Sequence, residues 1–342
     1  MIYSENNSIK SLIIHKINSF IENEGIILSK KPIVPTLELN LILTKYFISS
    51  FKSEERFLFS HISDLSLNEV YNYSKKIFDN SESILKESEN IANFLYSQST
   101  HPKIKDGELY IVYFKDCIVD GIKTDAIGLF KSENKDTFLK VYPKGDRFEI
   151  ESEKGININK LDKGCLIFNI EKENGYIVSV VDNTNKGADA KYWMEDFLNV
   201  KPRNDVYHQT QNTLSLYKSF ITKETELNNA EKAEKLSQSL EFLKGKNQIN
   251  LDEFTEQVLK EKELIESFTQ FKEMYEELHN VEIPNTFEVS ESALKKQERK
   301  FRSVIKLDKN FHIYVHGGEN QIIQGTDDDG RKYYKLYYRE EG

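Results

Sequence analysis

GELYIVYFKDCIVDGIKTDAIGLFKSENKDTFLKVYPKGDRFEIE, residues Gly107–Glu151, carries the strongest β pattern in the chain. Its apolar and β-branched residues fall in short runs, LYIVYF, AIGLF, TFLKVY and RFEIE. Turns rich in Asp, Gly and Lys separate them, as expected of β-strands joined by tight connections. CLIFNI and YIVSVVD continue the pattern, with Glu173-Asn174-Gly175 between them. Asn-Gly is a strong hairpin signal, because both residues tolerate positive φ. Residues 107–182 are therefore expected to form an antiparallel meander.

Toward the N-terminus, Ser11–Ile17 and the run that opens at Gly25 read as two strands, ended by Pro32 and Pro35. Thr36 can cap a helix whose Leu37, Leu41, Thr44 and Ile48 share a face. Ser66-Leu67-Asn68-Glu69 has the capping-box pattern and predicts a helix carrying Val70, Tyr71, Ser74, Ile77 and Phe78. Ile84, Ser88, Ile91 and Leu95 mark another, closed by His101-Pro102.

Toward the C-terminus the meander leads into KGADAKYWMEDFLNVKPR, Lys186–Arg203. Ala190, Trp193, Met194, Phe197 and Leu198 form one helical stripe, Asp189 is a plausible cap, and Lys201-Pro202 stops the helix. The stripe reads as core packing. Helical spacing returns at Val206–Phe220, at Ala230–Leu243 and at Leu264–Leu278, the last surrounded by glutamates that read as a solvated face. RSVIKL, FHIYVHG and RKYYKLYY are three candidate strands at the end. The expected class is α+β: an antiparallel meander core with N-terminal helices, an acidic helical segment and a C-terminal three-stranded β element. The expected domains are residues 1–183 and 184–342.

At 342 residues the chain exceeds a usual single core. Its formal net charge of −9 excludes a protein that coats DNA by bulk positive charge, so any DNA contact must be local. Cys117 and Cys165 lie in apolar runs and read as buried thiols. The opening residues lack a basic and then apolar leader, and no run is long enough for a membrane span. A cytoplasmic protein without membrane contact is expected.

Catalytic and metal motifs find little support. P-loop, GxGxxG, HExxH and GxSxG patterns are absent. Asp327-Asp328-Asp329-Gly330 fails as a calcium loop: alignment on Gly330 puts Gly325 and Leu336 where Asp and Glu are required. His312 and His316 share a strand face without a third ligand. Glu149 and Glu151 share a face and would suit Mg²⁺ in a nuclease, but no correctly spaced lysine or further carboxylate accompanies them. No catalytic residue, metal or cofactor is expected. Basic and aromatic residues are more suggestive. Arg331, Lys332, Lys335 and Arg339 interleave with Tyr333, Tyr334, Tyr337 and Tyr338, residue types that contact phosphates and stack on bases.

The order of elements, the Lys186-Gly187 pair with the short helix ending Asp196-Phe197-Leu198, FRSVIKLDKNFHIYVHG and the tyrosine-rich last strand together give the chain a family likeness. It resembles the bacterial nucleoid-associated proteins of the large α+β type. The resemblance implies a place in the cytoplasm at the nucleoid, binding to double-stranded DNA with little sequence preference, and no known catalytic centre. The candidate DNA contacts are Lys186, Lys191, Lys201, Arg203, Arg299, Arg302, Arg331, Lys332 and Lys335. The alternatives are a protein-interaction module recruited by a DNA-processing partner and, third, a metal-dependent nuclease. A homodimer is the expected assembly, since symmetric dimers are the commonest.

Overall fold

The computed structural model divides into two compact units, Met1–Arg203 and Asn204–Gly342. It describes all residues except 1, 5–7, 185–191, 302, 308–309, 316–321, 339 and 341–342, and omits the side chains of 299, 300, 303, 304, 306 and 315. The boundary falls after Arg203 rather than at 183, because residues Tyr192–Pro202 pack into the first unit.

The first unit contains β1 (Ile2–Ser4), β2 (Ile9–Ile17), β3 (Ile26–Ile27), α1 (Leu37–Ile48), β4 (Phe57–Phe59), α2 (Glu69–Asp79) and α3 (Ile84–Gln98). There follow β5 (Gly107–Val119), β6 (Ile122–Ser132), β7 (Asp136–Lys144), β8 (Arg147–Gly155), β9 (Lys163–Phe168), β10 (Ile177–Asp182) and β11 (Val200–Pro202). Nine of these strands make one sheet in the order β11-β4-β10-β9-β6-β5-β2-β3, with β1 also paired to β5.

The run LYIVYF is apolar at every position because the sheet is covered on both faces. Leu109, Ile111 and Tyr113 join one core with Val70, Ile77, Ile91 and Leu95 of α2 and α3. Tyr110, Val112 and Phe114 join the other with Tyr46 and Phe47 of α1. Gly128 sits where a Cβ would lie 2.3 Å from the Phe130 ring. Its absence lets Phe130 stack on Phe47, with ring centroids 4.2 Å apart.

Within this unit three sequence expectations change. Among the described residues β7 and β8 pair only with each other, so the meander skips them and β6 pairs directly with β9. The cap of α2 is Asn68, whose Oδ1 accepts from the Tyr71 N–H, whereas Ser66 donates to Asp64 in the preceding turn. α1 is capped by Thr36 as expected, but it buries Asn40, Tyr46 and Phe47 and leaves Leu37 and Leu41 exposed.

The second unit contains α4 (Val206–Ser219), α5 (Asn229–Leu243), β12 (Gln248–Asn250), α6 (Leu251–Val258), α7 (Lys262–His279), β13 (Thr286–Glu288) and α8 (Glu291–Phe301). It ends with β14 (Ser303–Leu307), β15 (Phe311–Val315), β16 (Ile322–Thr326) and β17 (Lys332–Leu336). Leu214, Tyr217, Phe220, Leu236, Leu243, Phe254, Phe268 and Phe301 build its core. Among the described residues the C-terminal element is not a three-stranded sheet. β14 pairs with β15, and β16 with β17, as two separate ribbons among the described residues. No helix among the described residues is long and apolar enough to cross a membrane.

Candidate nucleic-acid interface

The β16–β17 ribbon is closed by an acidic turn. Asp327 Oδ1 accepts from the N–H groups of Asp329 and Arg331, at 3.1 and 2.8 Å, and Gly330 supplies the positive φ of 80°. Directly opposed residues share a face in an antiparallel pair. Gly325 opposes Tyr333 and Ile323 opposes Lys335. A Cβ on Gly325 would lie 2.4 Å from the Tyr333 ring, so the glycine admits that ring across the strand.

Period-two alternation puts Tyr333 and Lys335 on one face, with Arg331 and Tyr337 at its ends, and Lys332, Tyr334 and Leu336 on the other. Lys335 Nζ lies 5.0 Å from the Tyr337 ring centroid, and its hydrogen bond to Tyr337 pushes its pKa up. Tyr333, Lys335 and Tyr337 are exposed. Arg331 is exposed too, but its guanidinium holds Asp327 at 3.2 Å and Asp329 at 3.0 Å. A ligand phosphate would have to compete with those carboxylates.

The other candidates are dispersed. Lys201 is exposed on β11, an outer strand of the large sheet. Arg203 is half-buried and donates to Glu171. Arg299 belongs to α8, whose last two turns carry Lys295, Lys296, Arg299 and Lys300. Lys186, Lys191, Arg302 and the side chain of Arg299 lie outside the described residues, as do His316 and Arg339. Glu149 is held by Lys144 and Arg147, and Glu151 accepts from Tyr142. No group of three metal-ligating side chains occurs among the described residues.

Sequence reading missed a buried ionic cluster in the first unit. Lys131 on β6 and Lys163 on β9 are paired directly across the sheet, and both side chains are fully buried. Glu133 accepts from Lys131 at 3.0 Å and lies 3.5 Å from Lys163, which also holds Asp182 at 3.0 Å. Tyr192 donates to Glu133 at 3.0 Å, and both ammonium groups lie over its ring, at 5.6 and 5.4 Å. Burial pushes the Lys131 pKa down, and Glu133 opposes that shift. The cluster balances two cations with two carboxylates, the condition for burying charge at tolerable cost. Thr184 contacts Lys163, so both neighbours of residues 185–191 are tied to this cluster.

Family comparison bears on the same region. The family model described as nucleoid-associated protein YejK matches residues 13–329. The chain belongs to this family. The family resemblance read along the sequence is thereby shown, and membership places the protein at the nucleoid. The nucleoid-associated family match covers the ionic cluster, residues 185–191 and α8, and stops before Arg331, Lys332 and Lys335. Curated protein sequences gave no significant match.

Proposed function

We propose that this nucleoid-associated protein binds double-stranded DNA directly, without catalysis and with little sequence preference, through a local basic and aromatic face. The observation that carries the reading is the exposed row Arg331, Tyr333, Lys335 and Tyr337 on one side of the β16–β17 ribbon. Lysine and arginine meet phosphates by charge, and tyrosine stacks or packs on sugar and base without reading sequence. The basic turns of α8 lie in the same unit, and Lys186, Lys191 and Lys201 of the first unit are proposed as further contacts.

Fluorescence anisotropy with a duplex of mixed sequence tests this. Affinity should fall linearly on a log scale with salt, with a slope of about 0.9 per phosphate neutralised. Lys335→Ala should reduce that slope by about one contact on the same scale, and Tyr333→Ala should weaken binding without changing it. Absence of duplex binding at low salt refutes direct contact.

A second reading, recruitment by a DNA-processing protein, is favoured by α7. Its exposed side carries Glu263, Glu266, Glu273 and Glu277 beside exposed Met274 and Leu278. Partners captured from nuclease-treated lysate, and lost on Met274→Lys, would support that reading over the first.

A further inference from the structure

The β7–β8 ribbon has one self-satisfied face and one uncovered face. Register puts Lys140 opposite Glu151, Tyr142 opposite Glu149 and Lys144 opposite Arg147. On this side Lys140 pairs with Glu153, Lys144 and Arg147 pair with Glu149, and Tyr142 donates to Glu151. The opposite side pairs Leu139 with Ser152, Val141 with Ile150 and Pro143 with Phe148. Leu139, Val141, Phe148 and Ile150 are 60–71% exposed, a continuous apolar strip in water. A lone two-stranded ribbon is marginal by itself, so a strip of this kind calls for a covering surface.

The same unit displays a second uncovered apolar surface. Leu37 and Leu41 lie one turn apart on α1, Ile42 adjoins them, and Val34 precedes the helix at 91% exposure. We propose that the ribbon is a dimerisation arm: its apolar face packs on α1 of a second copy of this chain, and that copy's arm returns the contact.

Area favours this exchange over arm-on-arm packing. A nine-residue ribbon is about 30 Å long and, with side chains, about 10 Å wide, so its face covers roughly 300 Å². Two arms packed face to face would bury about 600 Å² in total, the size of a crystal contact. Two reciprocal arm-to-helix contacts would bury about 1,200 Å², which reaches the lower edge of the range of stable specific interfaces. Reciprocity also closes the assembly at two copies, whereas a one-way contact would propagate.

Light scattering on the full chain, without DNA, should give a dimer. Ile150→Lys and Leu41→Lys should each raise the dimer dissociation constant at least tenfold while leaving the far-ultraviolet spectrum unchanged. Both positions are exposed, so neither substitution disturbs a core. Mixing Val141→Cys or Ile150→Cys protein with Leu37→Cys or Leu41→Cys protein should yield a disulfide between unlike chains, and none in any protein alone. Cys117 and Cys165 are buried and do not interfere. A monomeric protein, a dimer indifferent to both lysines, crosslinking of an arm variant with itself, or no crosslink from any of the four pairings would overturn the arm exchange.

Discussion

Glu133→Gln tests whether the buried ionic cluster holds the first unit together. The substitution keeps shape and one acceptor for Tyr192 and Lys131, removes the charge that faces Lys131 at 3.0 Å and Lys163 at 3.5 Å, and puts an amide N–H where an oxygen faced Lys163. With an effective dielectric of about 20, each attraction is on the order of 5 kcal/mol before desolvation is counted. Removing one partner of a buried pair costs about 3–5 kcal/mol net, since it strands the other charge. For a unit of this size each kcal/mol shifts Tm by about 2–4 °C, so a drop near 10 °C is expected at pH 7.

The pH dependence is the sharper readout. Lys131 has a folded pKa lowered by burial, and Glu133 opposes the lowering, so the substitution lowers it further. The unfolded chain then holds the proton to higher pH than the folded one, and stability must rise with pH across that interval. The Tm deficit of the variant should narrow from pH 7 to pH 9.5, measured by calorimetry on the full chain. A shift below 2 °C at pH 7, or a deficit that does not narrow, would mean that the cluster does not hold the first unit together.

Three further outcomes follow from buried groups. His15 accepts from the Ser29 N–H at 3.1 Å through Nδ1 and faces Ser88 Oγ at 3.0 Å; burial lowers its pKa below 6.5. The unfolded chain takes the proton first, so Tm should fall as pH drops below 6.5, and His15→Gln should remove that pH dependence. Trp193→Ala should cost about 3–5 kcal/mol by chemical denaturation, because the ring is fully buried against Phe197 and leaves a cavity. Cys117, with its pKa pushed up to about 12 by burial, and Cys165, pushed higher, should resist a thiol reagent at pH 8 until denaturant is added.

Much of the fold was legible because its signals are local. LYIVYF announces a strand covered on both faces, Thr36 announces a helix start, and Trp193, Phe197 and Leu198 announce a core stripe. That stripe lies on a π-helical turn, Tyr192–Leu198, whose backbone pattern spacing alone does not distinguish from an α-helix. β16 was missed because IIQGT lacks clean alternation, and its glycine serves the Tyr333 ring on the neighbouring strand. β7 and β8 alternate as sheet members do, yet strand character says nothing about which partner a strand finds. The Lys131–Lys163 cluster was invisible for a deeper reason. Lysines default to the surface, and these meet their carboxylates only after β6 and β9 pair. The signal that was present is a lysine at the end of one apolar run and another at the start of a second, each within two residues of an acid.

The charge objection to DNA binding weakens once cations are sorted by what already holds them. Both units carry more acidic than basic residues. In the first unit Lys115, Lys135 and Lys172 are paired with Asp125, Glu108 and Asp79, and the Lys131–Lys163 cluster is internally neutral. Such pairs contribute little net field beyond a Debye length of about 8–10 Å. On the function proposed above, a duplex would meet the local face, with few phosphate contacts per copy and weak affinity per copy. An arm-exchanged dimer doubles those contacts and makes the second binding event intramolecular, which multiplies affinity without any new contact. Ile150→Lys, far in sequence from every proposed DNA contact, should then weaken duplex binding and roughly halve the salt slope. If it dissociates the dimer and leaves the slope unchanged, each copy binds DNA independently and dimerisation serves another purpose.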